Sequence, residues 1–156
     1  MSTSETSGLV TDLAGLPALA GRHAGYTDWQ VMDQARVDMF ADATDDHQWI
    51  HVDPERAQAS PFGGTIAHGY LTLALVAPIS QSLAQVTDAT TGINYGLDRV
   101  RFPAPLPVGA EWRGGLEIAE VKEIPGGAQM KLHVTIEVKG SDKPCLVADA
   151  LVRVYG

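Results

Sequence analysis

A long uncharged segment in the middle of the chain limits what the chain can fold into. No Asp, Glu, Lys or Arg occurs in residues 57–86, and residues 65–84 are apolar on nearly every helical face. Such a helix is stable in water only when protein surrounds it. The longest apolar run, Leu73 to Ile79, is far shorter than the roughly 20 residues of a membrane span. The segment therefore predicts a buried central helix over residues 65–84, kinked at Pro78.

After this helix the sequence changes to the period-two alternation of β-strands. Residues 132–138 read LHVTIEV, which predicts a strand with one buried face and one solvated face. The connections at residues 125–127 and 139–144 are short enough for antiparallel hairpins. Strands are expected at residues 29–32, 93–97, 111–124, 131–139 and 145–155.

The first half of the chain carries helix start signals. Asp33 is expected to cap a helix that ends at Thr44. Asp53 is expected to cap a second helix, because Pro54 at the first helical position loses no hydrogen bond. A further short helix is expected over residues 9–20.

One helix and one antiparallel sheet indicate a single domain of class α+β, with the sheet wrapped around the helix. This domain is expected to span residues 9–156, and the polar residues 1–8 are expected to be a disordered tail. So few strands leave a sheet edge unprotected, and pairing with a second copy would cover it. We therefore expect a homodimer.

Composition excludes several classes of partner. The chain carries 11 Lys and Arg against 19 Asp and Glu, a net charge of −8, whereas nucleic-acid binding needs clustered cations. Cys145 is the only cysteine, so no internal disulfide can form. The first residues have neither the basic nor the apolar region of a signal peptide. A cytoplasmic protein that binds neither nucleic acid nor membrane is expected.

The polar sequence DDHQWIHVD, residues 45–53, contains the first candidate site residues. Asp46 and His51 would lie about 140° apart on a helix and on opposite faces of a strand, so they converge only if the chain turns between them. Together they could hold one water, with one group removing its proton. The alternative is that both are ordinary loop residues at helix ends.

His68 and Gly69 begin the expected central helix, just after a Gly-Gly break. Unpaired N–H groups at a helix start could stabilise negative charge on a substrate carbonyl oxygen. The alternative is a core histidine beside a glycine needed for close packing.

Other kinds of site lack support in the sequence. Histidines and aspartates are present, but no metal motif of established spacing occurs, so no metal is expected. A nucleophile elbow, a P-loop and a dinucleotide fingerprint are also missing.

A family resemblance adds to this interpretation. Residues 40–71, FADATDDHQWIHVDPERAQASPFGGTIAHGYL, resemble the hydratase motif of MaoC-like (R)-specific enoyl-CoA hydratases, especially the actinobacterial and nodulation-protein-N-like branch. The aspartate, the histidine five residues later, the Asp-Pro helix start and the IAHG segment all occur in order. The resemblance continues through NYGLDRVRFPAPLPVG and extends from about Asp12 to the C-terminus.

The resemblance implies a hot-dog fold, in which a bent antiparallel sheet wraps a long helix and pairs edge to edge in a dimer. It assigns Asp46 and His51 as the catalytic pair that adds water to a trans-2-enoyl thioester, giving an (R)-3-hydroxyacyl product. Gly69, with His68 before it, would bind the thioester carbonyl. Gln48 and Trp49 stand where many members have Asn-Pro, which makes them acyl-pocket candidates.

The implied substrate is a coenzyme A ester, and no separate cofactor is needed because water addition requires only acid-base groups and an oxyanion site. Two other functions remain open at this point. Hot-dog proteins include thioesterases, and a non-catalytic acyl-thioester-binding protein is compatible with the same fold.

Overall fold

A computed structural model of the chain describes residues 8–156, so the tail expected at residues 1–8 lies outside the described residues except for Gly8. The strands are β1 (Leu9–Thr11), β2 (Arg22–Tyr26), β3 (Gln30–Val31), β4 (Ala84–Val86), β5 (Thr91–Arg101), β6 (Glu111–Ile124), β7 (Gly127–Val138) and β8 (Leu146–Tyr155). The α-helices are α1 (Gln34–Thr44), α2 (Trp49–Val52), α3 (Pro54–Gln58), α4 (Gly69–Ala74) and α5 (Val76–Leu83). A 3₁₀ turn covers Leu16–Leu19.

The main sheet is antiparallel and has the strand order β2-β6-β7-β8-β5, with β3 also pairing with β6. The hairpin between β6 and β7 turns at Pro125 and Gly126, where Gly126 has φ 81°. Proline followed by a residue with positive φ is the signature of a type II turn. The expected strands and hairpins are confirmed, although β5 and β7 each extend up to four residues beyond their expected bounds.

The core lies between α5 and the inner face of the sheet. Side chains of β7 alternate between half-buried and buried, as the sequence pattern predicts. Ile79 of α5 packs so closely on Gly114 of β6 that a side chain at Gly114 would meet it. Ile79 is 1% exposed, and burying such a side chain stabilises the fold by about 1.5–3 kcal/mol.

The central helix is shorter than the sequence predicts. It begins at Gly69 and not at residue 65, because Ile66 forms an antiparallel β-bridge with Pro107 and Ala67 N–H donates to the carbonyl of Leu106. The helix also divides at Leu75, between α4 and α5. Pro78 lies three residues after this division and has no N–H to donate to the carbonyl four residues earlier. The kink expected at Pro78 stays a prediction.

The prediction of a helix over residues 9–20 is wrong. Residues 9–11 form β1, which pairs in parallel with β4, and only residues 16–19 turn as a 3₁₀ helix. The two expected caps are confirmed, since the side chain of Asp33 accepts from Arg36 N–H and that of Asp53 accepts from Arg56 N–H.

Strand β5 forms an open edge of the main sheet. It pairs with β8 on one side, and ten of its eleven residues are exposed. Ile93 is 47% exposed and Leu97 is 45% exposed. Within residues 8–156, no helix has the length and apolar character required to cross a membrane.

Candidate active site

A sharp turn after α1 carries Asp46 toward the centre of the site. Asp45 ends the helix with φ 59°, a left-handed conformation that non-glycine residues seldom adopt. Asp46 follows, exposed to solvent, and the short helix α2 then begins at Trp49. This turn and this helix bring His51 back toward Asp46, which the separation of five residues alone could not establish.

His51 is buried and held in one tautomer. Its Nδ1 lies 2.7 Å from the carbonyl oxygen of Ile66, and because a carbonyl can only accept, Nδ1 carries the proton. Its Nε2 is therefore a bare lone pair when the ring is neutral. Burial lowers the pKa of His51 from its ordinary value, and the neighbouring His68 lowers the pKa further, against the raising effects of the Ile66 carbonyl and Asp46.

His68 lies deeper than His51 and contacts both candidate residues. It is 2% exposed, its Nε2 lies 2.9 Å from the backbone carbonyl oxygen of Asp46, and its ring stacks on His51 at a centroid distance of 3.9 Å. Phe40 covers it at 4.8 Å. This burial gives no support to the expectation that His68 binds substrate directly, and its neighbours link it instead to Asp46 and His51.

Three polar groups thus converge. A carboxylate oxygen of Asp46 and one ring nitrogen each of His51 and His68 lie within 4.8 Å of one another. Two acceptors can share a water when each is about 2.8 Å from it, so this spacing suits one water molecule. The two imidazole planes differ by only 24° and are stacked, so a metal ion near both rings would lie outside the ring planes that hold the lone pairs. The geometry disfavours a metal, whose absence stays a prediction.

Two residues that the sequence did not single out fix the backbone at His51. The side-chain amide of Gln34 donates to the carbonyl of His51 at 2.7 Å, and its oxygen accepts from the hydroxyl of Thr65 at 2.6 Å. Ile66 N–H also donates to the carbonyl of Ile50 at 3.0 Å. These contacts join segments far apart in sequence, and no local motif indicates them.

Gly69 is the first residue of α4 and borders an apolar groove. Its N–H is among the first-turn groups that a helix cannot pair internally. A side chain at Gly69 would lie 3.3 Å from the ring of Phe102, and both residues line the groove with Phe62 and Pro105. The position is compatible with the expected carbonyl-binding role of Gly69, which stays a prediction.

The acyl-pocket candidates lie just before His51. Gln48 is exposed, and Trp49 is half-buried with the guanidinium of Arg56 over its ring at 4.3 Å. Their role in the pocket stays a prediction. The sole cysteine, Cys145, is buried, and burial raises the pKa of its thiol to about 12, so it is a poor nucleophile.

Comparison with known proteins identifies the family. Residues 17–140 match the MaoC like domain. The chain belongs to the MaoC-like dehydratase family. Among its relatives, 3-hydroxyacyl-thioester dehydratase Z from Mycobacterium tuberculosis strain H37Rv is 49% identical over 142 residues, covering 90% of this chain and 94% of the relative. Nodulation protein N from Rhizobium leguminosarum bv. viciae is 45% identical over 142 residues, covering 88% of this chain and 87% of the relative. The branch that the sequence resembles is therefore confirmed.

Comparison with a solved structure supports the fold. The (R)-hydratase from A. caviae involved in PHA biosynthesis superposes with a TM-score of 0.70 at 24% identity, covering 85% of this chain and 94% of that one. At this identity the likeness shows the fold alone. It confirms the expected hot-dog fold of class α+β.

Proposed function

We propose that this chain is an (R)-specific enoyl-CoA hydratase/dehydratase. It adds water across the double bond of a trans-2-enoyl thioester to give the (R)-3-hydroxyacyl thioester, and it catalyses the reverse dehydration. The convergence of the Asp46 carboxylate and the His51 ring at the spacing of one shared water carries the proposal. The family membership and the names of the relatives support the same chemistry.

In this mechanism the two residues orient the water. The Asp46 carboxylate and His51 Nε2 are both acceptors, so the water donates one hydrogen bond to each and turns an oxygen lone pair toward C3 of the substrate. As the C3–O bond forms, His51 Nε2 takes one proton of the water. The lowered pKa of His51 suits this step, because the ring is then mostly neutral at pH 7 and can act as a base.

The electrons of the double bond then move toward the thioester. Attack at C3 converts the conjugated carbonyl into an enolate, whose oxygen accepts a hydrogen bond from Gly69 N–H at the start of α4. Transfer of that proton from His51 Nε2 to C2 regenerates the neutral ring and completes the addition of one hydrogen and one hydroxyl group across the C2–C3 bond. The reaction needs no redox step, and we propose that it uses no cofactor, with coenzyme A serving only as part of the substrate.

We further propose that the functional unit is a homodimer formed along β5. This edge pairs with no other strand of the described chain and exposes apolar side chains, which favours pairing with a second copy. Light scattering of the wild-type protein is expected to give a molar mass of two chains. Leu97→Lys is expected to lower that mass toward the mass of a single chain. Val10→Lys is the control, since Val10 is 65% exposed but lies outside β5. A wild-type protein that is active as a stable monomer would contradict the proposal.

The function is tested by incubating the purified protein with crotonyl-CoA. Hydration is expected to remove the absorbance of the conjugated enoyl group while the thioester stays intact, and chiral analysis should give the (R)-3-hydroxy product. Release of free thiol without loss of the double bond would identify a thioesterase instead. Binding without any chemical change would support a non-catalytic acyl-thioester-binding protein.

A further inference from the structure

His68 contacts both members of the proposed catalytic pair from the protein interior. Its Nε2 reaches the backbone carbonyl of Asp46, and its ring face stacks on that of His51. We propose that His68 is a positioning residue, which holds Asp46 and His51 at the separation of one water without contacting the substrate. The expected effects on kcat and KM rest on the proposed function. The expected effects on the Asp46 turn rest only on the hydrogen bond between His68 and the Asp46 carbonyl.

Asp46 has little else to hold it. It is exposed, and it follows a left-handed residue at the end of α1. Among residues 8–156, its carboxylate accepts only a long local hydrogen bond, from Gln48 N–H at 3.4 Å. The 2.9 Å bond from His68 spans 22 residues and ties this turn to the start of the central helix. Loss of that bond therefore frees the segment that carries the carboxylate. A displacement of about 1 Å at a catalytic group can lower the rate about 10²-fold.

The chemistry of the ring shows which of its atoms matters. Because the Asp46 carbonyl can only accept, His68 Nε2 carries a proton, and in the neutral ring Nδ1 is then a bare lone pair. Nδ1 is buried and has no hydrogen-bond partner within residues 8–156, which is unfavourable for a polar atom. A phenylalanine or leucine would fill the space beside Phe40 without that cost. The imidazole is therefore explained by its Nε2–H bond and not by packing.

A matched pair of substitutions isolates this bond. His68→Gln places an amide N–H at about the reach of imidazole Nε2, whereas His68→Asn is one methylene shorter and cannot reach the Asp46 carbonyl. Both variants remove the stacked ring and bury one amide, so they differ mainly in the hydrogen bond. The readouts are amide hydrogen exchange of residues 45–48, kcat and KM for crotonyl-CoA, and melting temperature.

We expect His68→Asn to speed exchange in residues 45–48 and to lower kcat about 10-fold to 100-fold with KM within about twofold of wild type. His68→Gln should restore slow exchange and most of kcat. Equal effects of the two variants on exchange and kcat would overturn the proposal in favour of packing. A rise in KM with unchanged kcat would overturn it in favour of substrate binding.

One measurement needs no variant and no activity. Long-range ¹H–¹⁵N NMR of the wild-type protein reports which ring nitrogen of His68 is protonated, and Nε2–H with a bare Nδ1 is expected. A ring that carries its proton on Nδ1 and none on Nε2 would overturn the proposal even if both variants failed to fold. If wild-type protein does not hydrate crotonyl-CoA, the proposed function fails, while NMR and hydrogen exchange still decide whether His68 holds the Asp46 turn.

Discussion

Replacing Gly69 by alanine is expected to lower hydration activity while leaving stability nearly unchanged. The added Cβ would lie 3.3–3.5 Å from three ring atoms of Phe102, slightly inside the roughly 3.5–4.0 Å of a relaxed carbon contact. Phe102 is 41% exposed, so its ring can move outward. Overpacking a closed core costs about 1–3 kcal/mol, and this open contact should cost less.

The cost in stability of moving Phe102 is opposed by a gain in stability of helix α4. Alanine is favoured over glycine within a helix by about 0.5–1 kcal/mol, which roughly offsets the displacement of Phe102. A net change within about 1 kcal/mol corresponds to a melting-temperature shift within about 4 °C for a chain of this size. In contrast, a methyl group and a displaced ring beside Gly69 N–H obstruct the proposed carbonyl site, and losing such a donor lowers kcat by about 10²–10³.

Melting temperature and crotonyl-CoA hydration should be measured on the same preparations of wild type, Gly69→Ala and Gly64→Ala. Gly64 is the control, because a Cβ there would meet no atom within 4 Å. The control should keep its activity. A Gly69→Ala variant that is clearly destabilised but keeps its specific activity would refute the reasoning and leave Gly69 with a packing role only.

Three further predictions concern His51 and Asp45. Because burial lowers the pKa of His51 from its ordinary value of 6.5, kcat/KM should stay level above pH 6.5 and fall only at lower pH; an acid limb centred above 6.5 would contradict this. The same shift means that the stability contributed by neutral His51 is present above pH 6.5 and is lost as the pH falls through the lowered pKa, which thermal melts across that range can check. Asp45→Ala should be about 1 kcal/mol less stable in urea unfolding than Asp45→Gly, because glycine adopts the left-handed φ of 59° without strain. Equal stabilities would show that this turn is not maintained in solution.

Elements determined by local pattern could be predicted from the sequence. Strand β7 follows from strict alternation, and α1 and α3 follow from Asp33 and Asp53, whose side chains each cap an N–H three positions away. Strand β1 could not be predicted, because it is defined by pairing with β4 some 75 residues later. The start of the central helix was misplaced for the same reason, since Ala67 is held by Leu106.

The candidate site also has some features that local sequence predicts and others that depend on tertiary contacts. From spacing alone, Asp46 and His51 can be either a water-binding pair or ordinary loop residues. The resemblance to the family motif is what singles them out as the pair. Their approach depends on the left-handed turn at Asp45 and on the short helix α2, neither of which a local sequence signal predicts. The contact of His68 with Asp46 is a tertiary one that no spacing encodes.

A double-mutant cycle on the water-binding pair tests the central claim most directly. Asp46→Asn and His51→Ala should each lower kcat for crotonyl-CoA hydration by about 10²–10⁴, with Asp45→Asn and His47→Ala as neighbouring controls that keep their activity. Because both residues are proposed to hold one water, the double variant should lose little more than the worse single variant. Losses that multiply in the double variant, or near-wild-type hydration by either single variant, would contradict the account.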